Sequence, residues 1–283
     1  MGFFSKLFGN KNNNININNN NNTNNNDSNK NNYQKENFNS TSSTSSTNSS
    51  KLTLEKEESL KKLTLRKESI NKICLKKKEL TDLTARVAVV MDYSGSMDTL
   101  YRNGTVQSVL ERLLPLALKF DDNGELETWI FESRFKRLKD ININNYYDYI
   151  KNEDILRKYD MGGTNYAPVM RDVLNKYTKE DPSDTVPTLV LFLTDGDNFD
   201  KKQTEEVIKK ASKYPIFWQF VGLGNSRYSF LESLDEMEGR YIDNANFFAV
   251  NNINKISDDE LYSKLLNEYP SWIKEAREKN ILK

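Results

Sequence analysis

Residues 87–96 read Val-Ala-Val-Val-Met-Asp-Tyr-Ser-Gly-Ser and carry two signals in succession. The first five residues are a continuous apolar run, which is typical of a parallel strand covered on both faces by other elements. In the next five, Asp92, Ser94 and Ser96 are two positions apart and carry oxygen-bearing side chains, and Gly95 allows the chain to turn there. This stretch therefore predicts a buried strand that ends in a polar loop.

Further strands alternate with helical segments along the rest of the chain. Apolar residues at helical spacing follow the first strand and predict a helix there. Further helices are expected in segments that include 145–159 and 166–177. The segments with strand composition are 87–91, 126–131, 135–138, 188–194, 216–222 and 247–250. The third strand follows the second so closely that we expect an antiparallel pair there. The pattern predicts an α/β fold, a doubly wound, mostly parallel six-stranded sheet of Rossmann-like type flanked by helices.

Oxygen-bearing side chains follow two of these strands and also occur in a loop between them. Asp92, Ser94 and Ser96 come directly after the first strand, Thr164 lies in a Gly-Gly-Thr loop, and Asp195 follows the strand at 188–194. In parallel sheets, ligands bind outside the carboxyl ends of the strands. Carboxylate and hydroxyl oxygens are hard donors that suit Mg²⁺ or Mn²⁺. The five side chains therefore predict a divalent-metal site that leaves the cation able to accept an outside carboxylate.

These motifs resemble the von Willebrand factor A (VWA) domain, whose metal-ion-dependent adhesion site (MIDAS) reads Asp-x-Ser-x-Ser, a distant Thr, and Thr-Asp-Gly. The resemblance extends to TerF-type VWA proteins, which are associated with tellurium resistance and stress response. It covers about residues 73–283. The stretches that carry it are 101–107, 111–117, 120–124, 161–168, 215–222, 243–248 and 256–262.

The resemblance implies a role for each of the matching residues. In that family, the serines and the threonine contact the metal directly or through water, and the aspartates anchor the metal and its waters. The metal then takes an acidic group of a ligand. We therefore expect a non-catalytic module for protein–protein interaction, which binds magnesium or manganese and, through it, a partner that presents an Asp or Glu carboxylate. A TerF-like stress or tellurium-resistance setting is implied by the family alone.

Composition excludes several other functions. The chain has no histidine, which removes Ser-His and Cys-His catalytic triads and His-ligated zinc. Its one cysteine, Cys74, excludes an internal disulfide and fits a reducing compartment, so we expect a cytoplasmic protein. Lys and Arg total 41, as do Asp and Glu, so the overall charge predicts no nucleic-acid partner.

The N-terminal part differs in composition from the rest. Residues 1–8 form a short apolar segment that could dock weakly on a membrane, while no stretch reaches the length of a membrane-spanning helix. Residues 9–50 are a low-complexity tract of Asn, Ser and Thr that cannot bury enough apolar surface to order itself, so we predict disorder. We place the VWA domain at 83–256 and C-terminal helices that pack on it at 257–283.

Residues 51–82 form a basic segment with three similar units. Each unit has the pattern apolar-x-apolar-x-Lys, beginning at Leu52, Leu63 and Ile73. This alternation favours short strands, and a polybasic helix is the competing interpretation.

Two other functions fit parts of the pattern. A magnesium-dependent phosphotransferase or phosphatase could use Asp92 as nucleophile, but the second Asp expected two residues later is replaced by Ser94. A scaffold whose metal site stays empty is the other alternative, although every expected metal-binding position holds a suitable residue. The prediction is therefore a metal-binding module that is not an enzyme.

Overall fold

The computed structural model describes residues 44–283, and within this range six strands form one sheet. The strands are β1 (Arg86–Asp92), β2 (Leu126–Phe131), β3 (Phe135–Arg137), β4 (Thr188–Thr194), β5 (Ile216–Leu223) and β6 (Ala245–Val250). Their order across the sheet is β3-β2-β1-β4-β5-β6. Every neighbouring pair is parallel except β2 and β3, which are antiparallel. This architecture confirms the predicted fold class.

Helices lie before, between and after the strands. They are α1 (Thr44–Leu75), α2 (Lys78–Thr81), α3 (Asp98–Arg102), α4 (Thr105–Phe120), α5 (Tyr149–Asn152), α6 (Ile155–Lys158), α7 (Ala167–Asn175), α8 (Lys201–Ala211), α9 (Ser229–Asp235), α10 (Asp258–Leu265) and α11 (Tyr269–Glu278). A 3₁₀ turn at Gly95–Met97 precedes α3, and a π-helical turn at Lys176–Glu180 continues α7.

The central strand β1 contributes side chains to both sides of the sheet. Val87, Val89 and Met91 belong to one apolar cluster, with residues of α1, α4, α10 and α11. Ala88 and Val90 belong to the other cluster, with residues of α7, α8 and α9. Successive side chains of a strand point to opposite faces, so a strand covered on both sides must be apolar throughout. This requirement explains the uninterrupted apolar run of residues 87–91.

The prediction of short strands in residues 51–82 is wrong, because most of this segment lies in helix α1. The three units recur after eleven and ten residues, which is about three helical turns. The buried apolar residues of this helix are instead Leu63, Ile70 and Cys74, which are seven and four positions apart and so share one helix face. Leu65, the second apolar residue of its unit, is 64% exposed, whereas a strand with the same pattern would turn it to the same side as Leu63.

Helix α1 begins inside the tract predicted to be disordered. Residues 44–50, which we assigned to the disordered tract, form its first turns. The remainder of that tract and the short apolar segment at 1–8 lie outside the described residues.

The helix expected at 145–159 is divided into the two single turns α5 and α6. Asp148 and Asp154, the residues that precede these turns, have φ values of 53° and 57°. A left-handed backbone conformation cannot continue a right-handed helix, so the chain breaks at both positions. The helix expected at 166–177 is α7 together with its π-helical turn.

The C-terminal helices begin where their local sequence indicates. The Ser257 hydroxyl accepts a hydrogen bond from the Glu260 amide at the start of α10, and Pro270 lies in the first turn of α11. Leu261, Leu265 and Trp272 of these helices are buried in the same cluster as Val87. Among residues 44–283, no helix combines the length and apolar character needed to cross a membrane.

Candidate metal centre

The loops after β1 and β4 meet at the carboxyl edge of the sheet. These strands are parallel neighbours, with Met91 paired to Leu193, so Asp92 and Thr194 end their strands side by side. Residues 95–97 then form the 3₁₀ turn, which places Ser96 next to Asp195. The topology thus brings together two segments that lie about a hundred positions apart in the sequence.

Four of the five predicted site residues are connected by hydrogen bonds. The Asp92 Oδ1 atom accepts a hydrogen bond of 2.8 Å from the Ser94 amide. The hydroxyl oxygens of Ser94 and Ser96 lie 3.1 Å apart, and Ser96 Oγ donates to Asp195 Oδ1 at 2.8 Å. The row runs from buried Ser94 to exposed Ser96, so it opens to solvent at one end.

Thr164, the fifth residue, lies in a loop that is hydrogen-bonded to the loop after β1 and to the loop after β4. The Gly95 amide donates to the Gly162 carbonyl at 3.1 Å, and Ser94 and Gly162 form an isolated parallel bridge. On the other side, the Phe199 amide donates to the Thr164 carbonyl at 2.9 Å. The backbone of the Gly-Gly-Thr loop therefore spans the loops that follow β1 and β4.

The two carboxylates are held by neutral donors. Asp92 is fully buried, and its Oδ2 atom accepts a hydrogen bond of 2.6 Å from the Thr194 hydroxyl. Burial raises the pKa of Asp92 to about 6, against the opposing effect of the hydrogen bonds from Thr194 and Ser94. Burial also raises the pKa of Asp195. Among the described residues, no Lys or Arg forms an ion pair with either carboxylate.

Residues that sequence analysis did not single out hold these groups in position. The Tyr166 hydroxyl lies 2.9 Å from the Thr194 hydroxyl, so the two form a chain that ends on Asp92. The Asp200 carboxylate accepts hydrogen bonds from the amides of Tyr166 and Ala167, at 2.9 and 2.8 Å. Asp200 directly precedes α8, where an aspartate signals a cap of that helix. Nothing in the sequence indicates that its side chain caps α7 instead.

The donor set fits a small dication. Adjacent oxygens around an octahedral Mg²⁺, with metal–oxygen distances of about 2.0–2.1 Å, lie about 2.9 Å apart. The oxygen separations in the Ser94–Ser96–Asp195 row are 3.1 and 2.8 Å. Residues 44–283 contain no group of three or more Cys, Asp or Glu side chains suited to a metal, so a cation here would need the hydroxyls.

The same geometry argues against a phosphatase that uses Asp92. A nucleophilic carboxylate must have one oxygen free to attack the substrate. Both oxygens of Asp92 accept hydrogen bonds, and the residue has no exposed surface.

A six-stranded, mostly parallel sheet with an Asp-x-Ser-x-Ser loop at its carboxyl edge defines a protein of the VWA class. The family described as the vWA found in the TerF C terminus matches residues 84–282, and this chain belongs to it. VWA domains are generally non-catalytic interaction modules.

Similar proteins include one curated relative and several solved structures. The uncharacterised protein YcbR of Bacillus subtilis (strain 168) is 48% identical over 210 residues, which is 73% of this chain and 84% of that protein. The structure of proximal thread matrix protein 1 from the mussel byssus, with a zinc-occupied MIDAS motif, is 20% identical, with a TM-score of 0.48 over 65% of this chain and 46% of that one. BatB from Bacteroides thetaiotaomicron is 16% identical, with a TM-score of 0.47 over 65% of this chain and 98% of that one. The chain thus matches less than half the length of the mussel protein.

Proposed function

We propose that this protein is a non-catalytic VWA module that binds Mg²⁺ or Mn²⁺ and, through that cation, an acidic side chain of a protein partner. The metal-binding residues in this proposal are Asp92, Ser94, Ser96, Thr164 and Asp195. The likeness to TerF supports a cytoplasmic role in a stress or tellurium-resistance system.

The observation that carries the proposal is the pair of carboxylates with no cationic partner among the described residues. A carboxylate removed from water is costly unless it is paired or coordinates a metal. Asp92 and Asp195 have only hydroxyl and amide donors, so their negative charges are not neutralised by this part of the chain. A dication at this edge would supply the missing positive charge.

The hydrogen bonds of the site residues indicate which of them would contact the cation and which would hold the others in position. The Ser94, Ser96 and Asp195 oxygens lie in one row and would contact the cation. Asp92 already accepts hydrogen bonds at both oxygens and would act by orienting Ser94 and by its charge. When bound, the cation supplies a coordination position for a partner carboxylate. Because the hydroxyls add no negative charge, the cation keeps enough positive charge to attract the partner carboxylate.

Metal binding can be tested by thermal melting after removal of bound metal with EDTA. A cation at about 100 times its dissociation constant stabilises the native state by about 2.7 kcal/mol. For a domain of this size, that corresponds to a rise of about 5–10 °C in Tm. We expect this rise with Mg²⁺ or Mn²⁺ for the wild type, and its loss in Asp195→Ala.

Asp122→Ala is the matched control, because Asp122 is an exposed aspartate in the turn before β2, at the opposite edge of the sheet. This variant should keep the full rise in Tm. A wild type that melts at the same temperature with every divalent cation would refute metal binding and favour the scaffold with an empty site. Turnover of a generic phosphoester that is abolished by Asp92→Asn would favour the phosphatase instead.

A further inference from the structure

Phe199 is the most exposed of the large apolar side chains in the described part of the chain, at 83%. A single exposed apolar residue is common on protein surfaces and needs no explanation by itself. Phe199 differs because it lies in the loop after β4, four positions beyond Asp195, and its amide is bonded to Thr164. The ring is therefore part of the rim of the candidate metal centre.

The backbone on both sides of Phe199 is held in place. The buried Asn198 side chain donates to the Thr204 hydroxyl at 2.9 Å and to Asp200 Oδ1 at 2.6 Å. Asp200 in turn accepts the hydrogen bonds that begin α7. The backbone of this loop is already held by hydrogen bonds. A partner that packs on the Phe199 ring would therefore cost little further backbone entropy.

The ring lies against the loop that carries Thr164. A Cβ atom added to Gly163 would lie 3.5 Å from Cε2 of Phe199. Gly163 and Thr164 are consecutive, so their Cα atoms are about 3.8 Å apart. An apolar group next to a metal-bound acid would therefore reach the ring.

The opposite flank of the site presents positive charge. A cavity of 240 Å³ is lined by Tyr93, which lies between Asp92 and Ser94 in the sequence. The charged residues of its lining are the three cations Arg134, Lys136 and Lys158 and the two acids Glu132 and Asp160. Arg134 pairs with Glu132 at 3.1 Å, whereas the exposed Lys136 and Lys158 form no ion pair within residues 51–283. Unpaired surface lysines of this kind attract an acidic segment.

We propose that the partner binds as an acidic peptide segment in which an apolar side chain lies two positions from the metal-bound acid. The apolar side chain packs on Phe199, and further acids face Lys136 and Lys158. In an extended peptide, residues two positions apart lie on the same face at about 6.6 Å, so both contacts can be made at once. This inference rests on the proposed function, because it names the partner chemistry of the same site.

The test is selection of a randomised peptide library on the immobilised full chain. Selections are run on the wild type in Mg²⁺ and in EDTA, and on Phe199→Ala and Leu65→Ala in Mg²⁺. Leu65 is the matched control, since it is an apolar residue 64% exposed on α1. Thermal melting checks that each variant folds, and peptides enriched on the wild type are then titrated against all three proteins.

The wild type in Mg²⁺ should enrich peptides with Asp or Glu and an apolar residue two positions away, and EDTA should abolish this enrichment. Phe199→Ala should keep the preference for the acid, lose the preference for the apolar residue, and bind the wild-type peptides roughly ten- to hundredfold more weakly. Leu65→Ala should behave as the wild type.

Two other results would overturn the inference in distinguishable ways. Enrichment of acids without a neighbouring apolar residue, or an apolar preference that survives in Phe199→Ala, would refute the role of Phe199 and leave the proposed function standing. Absence of any magnesium-dependent preference for acids would refute the proposed function and this inference together.

Discussion

Two pairs of acidic residues at opposite edges of the sheet have different partners. At the amino edge, Asp181 pairs with Arg86 at 3.2 Å, and Glu127 pairs with Lys176 at 3.0 Å. At the carboxyl edge, Asp92 and Asp195 are joined only to amide and hydroxyl groups. Both edges therefore carry acids, but Asp92 and Asp195 differ from Asp181 and Glu127 in having no Lys or Arg as an ion-pair partner among the described residues.

This difference separates acids that serve the fold from acids that are available to a ligand. An ion-paired carboxylate already has its counter-charge, and a metal would have to displace a Lys or Arg to bind it. A carboxylate held by neutral donors is kept in position without being neutralised. The comparison indicates that the site is defined by the absence of cations around its acids as much as by the acids themselves.

The largest expected effect comes from supplying the carboxyl edge with a cationic side chain. Ser96→Lys would bring an ammonium group beside Asp195, the present partner of the Ser96 hydroxyl. We expect the proposed metal-dependent rise of about 5–10 °C in Tm to disappear, because the lysine replaces one hydroxyl of the proposed metal site and competes for the carboxylates. Differential scanning calorimetry with and without Mg²⁺ measures the Tm in each condition and therefore the rise.

The control for this change is Ser263→Lys, which adds a lysine at an exposed position of α10. That variant should respond to Mg²⁺ as the wild type does. If Ser96→Lys also keeps the full metal response, the lack of nearby cations is not what makes this edge a metal site.

A smaller effect is expected from removing one of the neutral donors. Thr194→Val keeps the shape of the buried side chain but deletes the hydroxyl that donates to Asp92 Oδ2. The buried carboxylate then lacks one hydrogen bond, which should lower the free energy of unfolding by about 1–3 kcal/mol in EDTA. Urea denaturation measures this change.

Thr188→Val is the matched control, because Thr188 is buried at the amino end of the same strand, β4. Its substitution should cost less than that of Thr194, since its hydroxyl lies at the other edge from Asp92. Equal losses for the two variants would mean that the Thr194 hydroxyl has no particular role in holding the site acid.

The smallest effect concerns Asp121, an acid of the amino edge that accepts a hydrogen bond from the Asn123 amide. Burial raises the pKa of Asp121 from 3.8 to about 6. At Asp121 the folded state therefore binds a proton more tightly than the unfolded state, so the contribution of this carboxyl to stability is fully present below about pH 4 and is lost as the pH rises through about 6. Asp121→Asn removes this loss, and the variant should be more stable than the wild type at neutral pH.

Solvent screens the partly exposed Asp121 side chain, so the expected gain is about 1 kcal/mol. Urea denaturation at several pH values should find that the gain vanishes towards about pH 4. Asp122→Asn removes one charge from the same turn and serves as the control. A gain for Asp121→Asn that does not change with pH would contradict the assignment to this carboxyl.

Elements with a strong local signal could be predicted closely. The strand expected at 188–194 is β4, with the same limits, because its apolar run matches a strand buried on both faces. The cap expected from Ser257 and Glu260 is present at the start of α10, since its hydrogen bond joins residues three positions apart.

Residues 51–82 could not be predicted in this way. The pattern that starts at Leu52, Leu63 and Ile73 satisfies a strand period within each unit, and the same segment also places apolar residues at helical spacing. Leu63, Ile70 and Cys74 are buried in the same apolar cluster as Val87, and this burial favours the helix. The cluster also contains residues of α10 and α11, which lie far from this segment in the sequence.

The linear order of residues was enough to identify the α/β class and the five candidate metal-binding side chains, because apolar periodicity and polar loops after strands are local properties of the chain. The close contact of Ser96 with Asp195, the support of Asp92 by Thr194, and the exposure of Phe199 at the rim were decided by the folded chain. Each depends on segments that become neighbours only when β1 and β4 pair, and no local pattern encodes which side chains meet there or which stay uncovered.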